Sequence, residues 1–144
     1  MIVDIHTHFW KMDELGPELY RDLENARIPA SSMAMTSASH LEATAAVDHA
    51  VVFGLRAHAS GMNISNDTVK EQVDVAPERL IFFTSVDPSE KGFMEELERT
   101  HRDLGAHGIK LGTIYQGVHP HDRRYREIYA YAERHHLPIL IHMA

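Results

Sequence analysis

The sequence predicts an α/β fold of parallel strands and crossover helices, in the manner of the first five strands of a TIM-type (β/α)8 barrel. Three observations carry this expectation. Short runs rich in Val, Ile and Phe recur along the chain, amphipathic segments separate them, and turn residues mark the junctions. After a longer first connection the runs lie roughly 25 to 35 residues apart, which suits parallel strands joined by helices.

The opening stretch MIVDIHTHFW alternates, so Ile2, Asp4, His6 and His8 are expected on one side and Val3, Ile5 and Thr7 on the other. Glu14 to Arg27 can form a helix with Leu15, Leu19, Tyr20 and Leu23 on one face, and the rest of segment 12–36 reads as a variable, lid-like connection. Ser39 is the expected N-cap of a short helix through Ala46. VDHAVVFGL is the second strand, and a helix from about Asp67 to Val75 ends before Pro77. RLIFFTSVDP is the third strand, closed by a turn in which Asp87 precedes Pro88. Lys91 to Leu104 is amphipathic and stops at Gly105. AHGIKLG is the fourth strand, Asp122 caps the helix carrying Tyr125, Ile128, Tyr129 and Ala132, and LPILIHMA is the fifth strand. A buried parallel strand needs a covering helix, and none follows here, so residues 1–144 are expected to form the N-terminal part of a single longer barrel domain.

Composition narrows the function. A chain of 144 residues with 44% apolar content can bury one core, and a net charge of -7 offers no surface for a phosphate backbone. No apolar run approaches the roughly 18 residues of a membrane span, so a cytoplasmic protein with a small-molecule partner and no nucleic acid or membrane is expected. Cysteine is absent, which removes disulfides and thiolate chemistry and leaves His, carboxylate or a lysine-derived oxygen as metal donors. Open sheet edges predict a homo-oligomer or another edge association.

His6-Thr7-His8 is the strongest chemical feature. Two histidines spaced by two on a strand point the same way and can share one ion, and His142, ending the fifth strand, reaches the same face of a parallel barrel. Asp4 lies one step deeper and is read as a buried carboxylate supporting its neighbours rather than as a ligand. Lys110, inside an apolar strand, needs a partner or a function. It can pair at the barrel mouth, bind an anionic substrate, or carry a carboxylated amine bridging metals. Trp10, Tyr115, Gln116, His119 and His121 lie in loops beyond strands one and four, suited to line a pocket or move protons. His40, His101, His135 and His136 fall on helices and are expected at the surface. No Gly-rich phosphate loop is present.

Together, DIHTHFW, VDHAVVFG, PERLIFFTSVDP, HGIKLGTIYQGVHPHD and LPILIH resemble the amidohydrolase superfamily, in the branch that holds both hydrolases and metal-dependent decarboxylases. The resemblance covers nearly all of the chain outside segment 12–36. It implies a distorted (β/α)8 barrel and one divalent metal, zinc first and manganese, iron or cobalt next, with His6 and His8 as first-strand ligands and His142 as the fifth-strand ligand. The family pattern continues with a histidine after the sixth strand and an aspartate ending the eighth, beyond this sequence. Hydrolysis of a small amide, ester, lactone or cyclic C–N substrate is the leading expectation, with His142, Lys110 and His119 as the catalytic set and Trp10, Tyr115 and Gln116 in the substrate pocket. Non-oxidative decarboxylation of an aromatic or unsaturated acid is the second, and an inactive half-barrel with an assembly role the third.

Overall fold

The computed structural model describes residues 1–143. Five strands, β1 (Val3–His8), β2 (His49–Phe53), β5 (Leu80–Ser85), β6 (Gly108–Leu111) and β7 (Ile139–Ile141), form one sheet in that spatial order, every neighbouring pair parallel. Two further short strands, β3 (Arg56–Ala57) and β4 (Met62–Asn63), pair antiparallel in the loop after β2. The helices are α1 (Pro17–Asn25), α2 (Ser37–Ala43), α3 (Asn66–Val73), α4 (Phe93–Arg102) and α5 (Arg126–His135).

The sheet is curled into a half-barrel. Its outer strands, β1 and β7, stand four strand spacings apart, which in a flat sheet would be about 19 Å. Yet the rings of His6 on β1 and His142 just past β7 are 6.2 Å apart. Only a curved sheet brings its edges together in this way.

Alternation sorts the strand residues onto two sides. Ala50, Val52, Leu80 and Phe82 pack with Val69, Val73 and Ala76 in one apolar cluster, and Ile109 and Leu111 pack with Leu97, Tyr125 and Ile128 in another. The helices cover this convex side. The concave side carries Val51, Phe83 and Leu140 near the N-terminal ends of the strands and Phe53, Ser85 and Lys110 near the C-terminal ends.

Several boundaries differ from the expectation. Helix α2 is capped by Thr36, whose hydroxyl accepts from the backbone N–H of Ser39, so Ser39 sits inside the first turn and answers the cap with its own hydroxyl. Helix α3 begins after Ser65, whose side chain accepts from the N–H of Asp67. The stretch from Glu14 divides into a 3-10 turn at Met12–Glu14 and helix α1, since Gly16 and Pro17 reset the backbone between them. Asp122 caps the 3-10 turn Arg123–Tyr125, which runs directly into α5.

The largest correction concerns β1. Its register with β2 runs Val3↔His49 and Asp4↔Ala50, then Thr7↔Val52 and His8↔Phe53, so three steps on β1 match two on β2. This bulge breaks the expected alternation. Asp4 pairs beside Ala50 on the helix-facing side, away from His8, and its carboxylate accepts the backbone N–H of His6 at 2.9 Å. No described helix is long and apolar enough to cross a membrane.

Candidate metal-binding site

The C-terminal ends of β1, β6 and β7 meet on the concave face. His6 and His8 turn their Nε2 atoms toward each other at 3.2 Å. Two imidazole nitrogens held at zinc–nitrogen distances and a tetrahedral angle would stand about 3.3 Å apart, so this pair fits one ion. Their ring centroids are 5.2 Å apart, whereas the His6–His142 separation is 6.2 Å. Among the described residues no three His, Asp or Glu side chains close fully on one point. The pair is formed, and the third ring stands beside it rather than against it.

Protonation favours metal binding at these rings. Burial, followed by the charges of Lys110, His6 and His142, pushes His8 down to about 3. Burial also lowers His6, with Lys110 and His142 acting in the same direction and Asp4 opposing them. Both rings are therefore neutral near pH 7, the form in which an imidazole can bind a metal.

Lys110 is fully buried in β6. Its ammonium lies 4.4 Å above the Phe53 ring and 3.4 Å from Nε2 of His6, to which it donates. Burial draws it down to about 8. The strand that reads as apolar thus ends in a cation aimed at the histidine pair.

The other expected residues divide. Trp10 and Tyr115 line, with His8, His142, Leu15, Leu19, Met33, Leu55, Met62 and Ile64, a cavity of about 290 Å³ with largely apolar walls. Trp10 is pinned by its indole N–H donating to the carbonyl of Met33 at 2.8 Å, and Tyr115 packs on His142 at 4.9 Å. His119 is exposed and shares a second cavity, of about 330 Å³, with His142, Thr113 and Met143, its ring lying 3.9 Å from that of His121. Gln116 turns inward. Its amide donates to the carbonyls of Arg56 and Val86 and accepts from the Tyr125 hydroxyl at 2.6 Å, which places it behind the pocket wall.

Asp87 makes the expected turn, accepting from Ser89, and also holds the backbone N–H of His58. Arg56 is paired with Glu90 at 2.6 Å, away from the histidines. His101, His135 and His136 lie on or beside helices as expected, but His40 is buried, only 4% exposed, because α2 turns it onto β1. Sequence reasoning also missed the walls that segment 12–36 supplies through Leu15, Leu19 and Met33. Their apolar character was the available signal.

With this geometry in view, the comparisons with known proteins agree. The profile of a family described as amidohydrolase matches residues 3–144, and the chain belongs to that family. No curated protein matches the sequence. Among solved structures, an uncharacterised TIM-barrel protein from Bordetella bronchiseptica superimposes with a TM-score of 0.69 at 20% identity, over 97% of this chain and 54% of its own. A 5-carboxyvanillate decarboxylase from Novosphingobium aromaticivorans, with bound manganese, gives 0.69 at 18% identity over 100% and 51%. A 4-oxalomesaconate hydratase from Rhodopseudomonas palustris gives 0.62 at 20% identity over 99% and 52%. The chain thus spans about half the length of the structures it matches.

Proposed function

We propose that this chain supplies the metal-holding part of an enzyme that removes CO2, without oxidation, from a small planar unsaturated or aromatic acid. The observation that carries this reading is the apolar cavity walled by Trp10, Tyr115, Leu19 and Met33, which opens onto His8 and His142. Such walls favour a flat ring and disfavour a peptide-like amide, whose polar groups would lose their hydrogen bonds to water. Two of the structural neighbours named above act, by their names, on unsaturated carboxylic acids, which supports the same choice.

In this reading His6, His8 and His142 hold one divalent cation, zinc or manganese first. Such an ion would supply positive charge to polarise a substrate oxygen. Lys110 steadies negative charge beside His6. Trp10 and Tyr115 orient the ring, and the apolar walls keep water from the carbon that must accept a proton. His119 lines the neighbouring cavity that shares His142, and in this reading it would be the proton donor on that side. Hydrolysis of a lactone, ester or cyclic amide by a metal-activated water is the second reading. The exposure of His6, which leaves room for a water beside the pair, favours it.

Elemental analysis of the purified chain tests the metal, with near one equivalent expected and its loss expected in the His6→Ala/His8→Ala variant. A chain that takes up no metal overturns the reading. Trp10 is the sole tryptophan, so its fluorescence reports the pocket. Hydroxybenzoates should quench it in a metal-dependent way while lactones should not, and the reverse pattern would move the assignment to hydrolysis.

A further inference from the structure

A chain of hydrogen bonds runs from the helix layer to the middle of the His6-Thr7-His8 motif. The amide nitrogen of Gln72, on α3, lies 3.1 Å from Nδ1 of His40, on α2. Nε2 of His40 lies 3.4 Å from the hydroxyl of Thr7. That hydroxyl donates to the carbonyl of Val51 at 2.8 Å. An amide N–H can only donate, so Nδ1 of His40 accepts and its Nε2–H donates to Thr7. Thr7 then passes its own hydrogen to Val51. Every member has one direction, and four segments, α3, α2, β1 and β2, are tied in series.

The chain meets β1 at a particular place. Val51 lies between Ala50 and Val52, the β2 partners on either side of the bulge, so Thr7 grips β2 where the two strands leave register. The ladder lapses between Asp4 and Thr7 and resumes at Thr7, where the Thr7 side chain adds its own bond to β2. Phe9 closes the network from the other side, its ring edge-on to His40 at 5.7 Å. His40 and Gln72 are almost fully buried, which excludes water as a substitute partner. Burial also lowers the His40 pKa, which keeps the ring neutral and the direction of donation fixed.

We infer that His40, set by Gln72, is a positioning residue. Through Thr7 it holds the bulged end of β1 so that His6 and His8 present their Nε2 atoms to one point. The inference rests on the reading of His6 and His8 as metal ligands. Groups that act on ligands from one layer out typically govern metal affinity by about tenfold or more.

Cobalt(II) titration of the full 144-residue chain, followed by its visible absorption, tests this inference together with imidazole NMR of the metal-free protein. His40, whose pKa burial lowers, should appear as the neutral Nε2–H tautomer near pH 7. An Nδ1–H tautomer or a charged ring there overturns the inference. His40→Leu should weaken cobalt binding by about tenfold or more. His40→Gln, which keeps an N–H near the position of Nε2, should recover affinity to within about threefold of the parent although both variants lose thermal stability. Equal losses in the two variants, or parental affinity in His40→Leu, would reduce His40 to a packing residue. If His40→Leu does not fold, Thr7→Val breaks the same chain at its other end and should show the same loss. Should the parent chain take up no cobalt, the metal reading fails by itself. The ring signals of His6 and His8 then decide: they must shift in His40→Leu and return in His40→Gln, and unshifted signals overturn the inference.

Discussion

The two sides of the half-barrel sheet are built from the same strands and carry opposite chemistry. Toward the helices, Ala50, Val52, Leu80, Phe82, Ile109 and Leu111 are buried among apolar partners. On the concave side the same strands, joined by β1, offer His6, His8, Ser85 and Lys110. The difference separates two roles. The convex side stabilises the fold, and the concave side accepts instability in exchange for reactive groups.

Substitutions on each side sharpen that contrast. The largest effect is expected at Phe82, which is 2% exposed on the convex side. Phe82→Ala should destabilise the chain by about 3–5 kcal/mol in denaturant unfolding. On the concave side Lys110→Met should act in the opposite sense. Burial lowers Lys110 from 10.5 to about 8, so between those values the unfolded chain binds the extra proton and native stability falls as pH drops through that window. Below about pH 8 the methionine variant should therefore be more stable by about 3 kcal/mol, with a flatter profile from pH 8 to 10.5. A destabilised methionine variant would mean that the cation over Phe53 contributes more than its burial costs.

Gln116→Leu tests the polar joint between the two sides. It strands the Tyr125 hydroxyl and two carbonyls, and a loss of about 1–3 kcal/mol is expected by thermal or chemical unfolding. The smallest stability effect at neutral pH is expected at His8. Its folded value of about 3 lies below the ordinary 6.5, so the unfolded chain binds more protons between them and stability is lost as pH falls through that range. His8→Asn should show a shallower acid limb with little change at neutral pH, while abolishing metal uptake.

How much of this was legible in the sequence follows from how local each feature is. The five sheet strands announce themselves through β-branched runs, and the placement of His6, His8 and Lys110 at strand ends follows from the strand–helix rhythm. The bulge does not. Apolar and polar residues alternate from Val3 to His6, and only pairing with β2 reveals that Asp4 has changed sides. His40 was hidden for a related reason. Its neighbours Ser37, Ser39 and Glu42 are those of a solvent-facing helix, and its partner Gln72 lies 32 residues away. Gln116 looked like a pocket residue because its loop forms the pocket, but the carbonyls of Arg56 and Val86 compete for its amide from distant segments.

The bulge in β1 also bears on colloidal behaviour. An edge strand is a template for another chain, and one carrying Val3 at 40% exposure and Ile5 at 61% would be a ready nucleus for fibrous stacking. Here the template is interrupted midway. The backbone N–H of His6 is taken by the carboxylate of Asp4, and the strand shifts its spacing where an added strand would need uniform repeats. A strand with that change of spacing is a poorer template for regular stacking than an uninterrupted one.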